Sequence, residues 1–305
     1  MASSQSPRFC ADCFKGTLRG DVVPQGNEET INGLPTYVAR PDAGREPAGV
    51  VVILPDALGW TLRNTRGLAD AYAKRIPAVV LVPEFMNGNA LPDSILTLSD
   101  RIGVEKSWWY KIFYLFPVAA FTLLRYVIPL FVGTRSSVVV PRIANYLRAL
   151  RVNPPSPLPP PSTSDSSSAD VKELKIGVAG FCWGGKYTVL LTQGAGGPFG
   201  EQLVDVGFTA HPSMVNVPSD FEKVVLPLSV ANGDNDSMMG RARMVQTKEV
   251  LGAKENCEVV EYPGAVHGFA VRGDPKDERQ GEFGMRAEDQ AVGWFRRWFG
   301  QGAVA

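Results

Sequence analysis

The run VAGFCWGGKYTVLL at residues 178–191 decides the fold. Small and branched apolar residues predict a buried strand, glycines at 180, 184 and 185 predict a sharp turn, and the residues after them restart with helical character. This order sets Cys182 in the middle of Gly180-Phe181-Cys182-Trp183-Gly184, where a Gly-x-Ser-x-Gly elbow carries its nucleophile. Such a turn forces its central residue into strained backbone geometry and leaves room only for neighbours without side chains. The expected sulfur stands above the sheet edge at a helix N-terminus, whose positive end lowers a thiol pKa from its ordinary value of about 8.5. The plainer alternative is a structural cysteine buried in a glycine-rich turn.

Working outward, AGVVVILPDALGW from residue 48 reads as a strand buried on both faces, NTRGLADAYAKRI as a helix and PAVVLVPEF as a second buried strand. Beyond the elbow, the expected order is strand VDVGFTAHPS, strand and loop VVLPLSVANGDND, helix MVQTKEVLGAKE, strand and loop CEVVEYPGAVHGF, and terminal helix EDQAVGWFRRWFG. Strands alternating with helices predict a doubly wound, mostly parallel α/β sheet in a single domain over 1–305. Two stretches break that rhythm: an aromatic and apolar insertion at 100–152, read as a lid or pocket wall, and a Pro/Ser-rich run at 153–170, read as a disordered loop.

A cysteine nucleophile needs a base, and the chain has only two histidines, His211 and His267. His267 follows the last predicted strand and an Asp-bearing loop, giving the order nucleophile, acid, histidine. His211 comes too early for that order, at the end of the strand after the elbow helix, near the expected rim of the site. The acid is assigned to Asp236, three residues beyond Gly233, with Asp234 as the alternative. The Asp-Asn-Asp sequence lacks the glycine and distal glutamate of a calcium loop.

These features resemble the dienelactone hydrolase family of the α/β-hydrolase fold, in particular its fungal branch. The match rests on GFCWGG at 180–185, GDND at 233–236, His267-Gly268-Phe269, and the amino-terminal run CADCFKGTLRGDVVPQGNEETINGLPTYVARP. The resemblance implies a thiolate attacking an ester or lactone carbonyl, an acyl-enzyme on Cys182, hydrolysis by a water that His267 activates, and no cofactor. It also implies an oxyanion hole from the backbone N–H groups of Trp183 and Ala57. A glutamate that contacts the thiol in bacterial members is matched by the shorter Asp56, which can also be read as a turn or capping carboxylate. Arg272 lies near the place of an arginine that holds a substrate carboxylate.

Lys+Arg and Asp+Glu each number 31, so no charge imbalance points to nucleic acid as a partner. The expected partner is a small ester or lactone. Four scattered cysteines and an amino terminus without a basic start and apolar run lead to a cytoplasmic expectation. Cys10-x-x-Cys13 has no second pair, so no metal is expected, and Cys257 reads as core. Residues 112–133 approach bilayer-spanning length but are interrupted by Pro117, Arg125 and Pro129, leaving a lid or weak membrane contact as readings. A wall bearing Trp108, Trp109, Phe113 and Phe116 would favour a large apolar substrate. Two rival functions stay open: acyl transfer or carbon–carbon cleavage on the same fold, and a non-catalytic membrane-associated protein. The sequence leaves the oligomeric state open.

Overall fold

The computed structural model describes residues 22–159, 174–273 and 277–300. Cys10, Cys13 and most of the Pro/Ser-rich run lie outside the described residues. The described residues form one eight-stranded sheet in the order β1-β2-β4-β3-β5-β6-β7-β8. Its strands are β1 (Asn27–Ile31), β2 (Leu34–Ala39), β3 (Gly49–Leu54), β4 (Ala78–Pro83), β5 (Lys175–Phe181), β6 (Val206–Ala210), β7 (Leu228–Asn235) and β8 (Cys257–Val266).

From β4 to β8 the pairing is parallel, while β1 and β2 form an antiparallel edge. Sequence analysis left that hairpin unread, although Asn32-Gly33 at its turn is a strong signal. Both residues have positive φ, 47° and 83°, as a two-residue turn between twisted strands requires.

Strands β3 and β4 are buried at every residue, which explains their unbroken Val/Leu/Ile sequence. Helix α1 (Arg63–Arg75) connects them, completing the expected strand-helix-strand unit. The helices are α2 (Ser94–Val104), α3 (Trp108–Gly133), α4 (Ser136–Val152), the elbow helix α5 (Trp183–Leu191), α6 (Ser219–Glu222), α7 (Arg241–Gly252), α8 (Phe269–Arg272) and α9 (Glu278–Trp298). Residue alternation on β5 shows that helices cover both faces. A Cβ on Gly177 would lie 2.7 Å from the Phe295 ring of α9, and one on Gly180, on the opposite face, would lie within 2.1 Å of Thr188 Oγ1 of α5.

Three expectations change. Residues 136–152, read as part of the insertion, form a core helix: α4 buries Val139, Ile143, Leu147 and Leu150 at helical spacing in the main apolar cluster. Pro117 and Pro129 do not interrupt α3. Each is preceded by a turn of π-helix, with Phe116 N–H bonded to Lys111 O and Ile128 N–H to Leu123 O, and this wider winding carries the helix through residues that lack an amide proton. Trp108, Trp109, Phe113 and Phe116 line no enclosed wall, because all four are exposed.

Candidate active site

The site is built at the carboxyl ends of β3, β5, β6, β7 and β8, the edge where open α/β sheets bind ligands. Between β5 and α5 the chain turns at Cys182, held at φ 50° and ψ −110°, a backbone strain of about 1–3 kcal/mol for a residue with a side chain. The flanking glycines are sterically required. A Cβ on Gly184 would sit 2.0 Å from Leu54 O, and one on Gly180 would meet both Thr188 and the Gly184 carbonyl. Gly184 N–H donates to Pro55 O at 3.1 Å, locking the elbow against the end of β3 and drawing Asp56 and Ala57 beside it.

His267, just after β8, presents Nδ1 to Asp236 at 2.9 Å from Oδ2 and 3.1 Å from Oδ1. Asp236 Oδ1 also accepts the N–H groups of Met238 and Met239 at 2.7 and 3.0 Å, so the loop backbone aims the carboxylate. Asp234, the alternative acid, is turned elsewhere and accepts Gly264 N–H at 2.6 Å. Gly233, read as opening a loop, lies within β7, where a Cβ would meet Ala265 O at 1.9 Å.

On the other side of the imidazole stands Ser213, which sequence analysis missed. Its hydroxyl is 3.3 Å from Cys182 Sγ and 3.3 Å from His267 Nε2, and Ser213 N–H donates to Cys182 O at 2.9 Å. The available signal was its position in Ala210-His211-Pro212-Ser213, directly after a strand that pairs with the elbow strand. Burial disfavours the charged form of His267, but Asp236 on one nitrogen and Cys182 on the other outweigh it and hold its pKa well above the ordinary histidine value.

Asp56 and Arg272 lie beside this line. Asp56 Oδ2 is 2.9 Å from Arg272 Nε in an ion pair of two buried side chains, a charge contact more than an aligned hydrogen bond. Asp56 Oδ1 accepts Leu58 N–H at 3.0 Å, the local turn contact the plain reading of this residue expected. Burial, opposed by Arg272 and reinforced by the charge of Cys182, raises the Asp56 pKa. The backbone N–H groups of Ala57 and Trp183 have no hydrogen-bond partner among the described residues.

Two placements differ from expectation. The Cys182 sulfur does not stand proud of the sheet: the residue is 1% exposed, and Asp236, His267 and Ser213 are also buried, so the site is enclosed. His211 is not at a rim. It is fully buried, its ring centroid 5.1 Å from that of His267 and edge-on to it, and neither ring nitrogen has a hydrogen-bond partner among the described residues. Burial, then the neighbouring His267 and Arg272, push its pKa well down, so the ring is neutral.

A thiol, an imidazole and a carboxylate in series have the connectivity that nucleophilic catalysis requires. Residues 164–301 match the Dienelactone hydrolase family. The carboxyl-terminal part of this chain is thus similar to the dienelactone hydrolase family. Among its relatives, the protein Hydrolase tropI of Talaromyces stipitatus is 26% identical over 289 residues, covering 94% of this chain and 95% of that protein. Dienlactone hydrolase 1 of Gibberella moniliformis is 26% identical over 264 residues, covering 85% and 82%. A putative dienelactone hydrolase structure from Klebsiella pneumoniae superposes with a TM-score of 0.59 at 15% identity, covering 90% of this chain and 98% of that one, which shows the shared fold.

Proposed function

We propose that this chain is a dienelactone-hydrolase-like enzyme that hydrolyses a carboxylic ester or lactone through a covalent intermediate on Cys182. One observation carries the reading: Cys182 occupies the strained elbow with the His267 imidazole beside it, and Asp236 fixes the far nitrogen of that ring. His267 takes the thiol proton, and the sulfur attacks the carbonyl carbon. The carbonyl π electrons move to oxygen, giving an oxyanion that the N–H groups of Ala57 and Trp183 receive. As the intermediate collapses, the bond from carbon to the leaving oxygen breaks and His267 protonates that oxygen; in a lactone it stays tethered to the acyl chain. Water then gives a proton to His267 and attacks the thioester, and carboxylic acid leaves as the sulfur is regenerated. Asp236 keeps the ring in one tautomer and stabilises the imidazolium without taking the proton.

Ser213 is assigned a positioning role, holding sulfur and ring in register from between them. Arg272 has its charge balanced by Asp56, which favours a neutral ester or lactone over a substrate anchored by its own carboxylate. The test is intact-mass detection of an acyl adduct during turnover of aryl esters and five-membered lactones, with acid product measured in parallel. The expected result is an adduct on Cys182, with adduct and product both lost in Cys182→Ala. Activity that survives in Cys182→Ala and disappears in Ser213→Ala would transfer the nucleophile to the serine and overturn the assignment.

A further inference from the structure

The described part of the chain carries one long apolar surface that the site does not use. Helix α3 runs unbroken from Trp108 to Gly133, 26 residues, about 39 Å at 1.5 Å per residue. Only Leu115, Val127 and Leu130 along it are buried. Phe113 at 70%, Leu124 at 66% and Phe121 at 63% exposed project from the rest, and clustered exposed apolar side chains of this kind mark interaction sites.

Charge along the sequence says what covers it. Residues 106–164 hold seven lysines and arginines and no aspartate or glutamate, in a chain whose charges balance only as a whole. Arg142, Arg148 and Arg151 are engaged by the domain, through Phe85 O, Glu201 and Asp205. Lys106, Lys111, Arg125 and Arg135, on or flanking α3, form no ion pair among the described residues. At the amino-terminal end Trp109 stacks on Phe113 with centroids 5.6 Å apart and Tyr110 on Tyr114 at 5.0 Å, the amphipathic rings that favour the headgroup level of a bilayer. A second copy paired through this face would oppose cation to cation, with Glu105 before Lys106 as the flanking carboxylate against four cations. An anionic lipid surface supplies the missing charge.

Connectivity fixes the orientation. Ile95 and Leu96 of α2 before the helix, and Val139 and Ile143 of α4 after it, belong to the same apolar core. Both ends of α3 are therefore tied to one body, whereas a single crossing would put them on opposite sides of a membrane. At its carboxyl end, Tyr187 of the elbow helix donates its hydroxyl to Thr134 O at 3.1 Å, fastening α3 to the catalytic domain.

We propose that the outer face of α3 is a membrane-docking surface that lies in the plane of an anionic leaflet, apolar side chains among the acyl chains and cations at the headgroups. Flotation of the full chain with phosphatidylcholine vesicles, with and without phosphatidylserine, tests it. The expected result is strong flotation with the anionic vesicles only, reduced at least tenfold in Phe113→Ser/Phe121→Ser/Leu124→Ser and several-fold in Lys111→Gln/Arg125→Gln, with the circular dichroism of both variants unchanged. No flotation with either vesicle overturns the proposal. So does light scattering that shows a dimer dissolved by the triple substitution, since a second copy then covers the face. Resistance of the bound protein to alkaline extraction overturns the in-plane arrangement.

Discussion

Asp56 and Arg272, one at the end of β3 and the other at the end of α8, meet 2.9 Å apart with both side chains enclosed beside Cys182. Removing one partner of a buried pair strands the other, whereas removing both leaves little uncompensated charge. Arg272→Met is expected to cost about 3–5 kcal/mol in urea denaturation, and Asp56→Asn/Arg272→Met to recover most of that loss. The penalty of the single variant shrinks at acid pH. Burial already raises the Asp56 carboxyl, and loss of Arg272 removes the main group opposing that shift, so protonation relieves the stranded charge. A double variant no more stable than the single one would contradict the pairing.

Asp236 and Asp234 differ by two positions and serve different partners. Asp236→Asn is expected to lower kcat by roughly 10³- to 10⁴-fold, by destabilising the working tautomer of His267. Asp234→Asn should keep kcat within about tenfold and lower Tm, because it loses only a backbone contact to Gly264. Steady-state kinetics with a melting curve on each variant separates the two, and similar kinetic defects would count against the assignment.

Ser213 touches both the sulfur and the imidazole without occupying the elbow. Ser213→Ala is expected to reduce kcat by about tenfold with little change in KM and to preserve the acyl adduct on Cys182. Ser213→Thr, which keeps the hydroxyl, should recover part of the rate. A loss as deep as that of Cys182→Ala would make the hydroxyl a reacting group.

The two histidines pull stability in different pH windows. The neutral, depressed His211 gives the unfolded chain more bound protons below its unfolded pKa of about 6.5, so stability falls as pH drops from there. His267 is raised, so its contribution is complete below about pH 6.5 and fades as pH rises towards its folded value. Urea midpoints against pH for His211→Gln should therefore flatten on the acid side only. In Asp236→Asn, which loses the main group raising His267, the flattening should come on the alkaline side. An acid limb unchanged in His211→Gln would remove that ring as its source.

What could be read from the sequence was what depends on local rules. The elbow at Cys182, the buried strands β3 and β4 and the position of His267 follow from periodicity, glycine sterics and chain order. Ser213 was illegible because a serine has no distinctive spacing, and its role comes from β6 lying beside β5. The exposure of α3 was hidden for a similar reason: Pro117 and Pro129 read as breaks until the π turns beside them accommodate the missing amide protons. Enclosure of Cys182 depends on how loops from distant parts of the chain close over it, which no window of sequence contains.

Asn153 and Ser156 run along the sheet edge, the former accepting a bond from Asn32 and the latter from Arg40, and the described chain resumes at Leu174 and enters β5 from its amino end. The described residues on either side of the Pro/Ser-rich run, Ser156 and Leu174, thus lie toward the pole opposite the candidate site. Sequence changes at these two flanks can therefore accumulate over generations without displacing Cys182, His267 or Asp236.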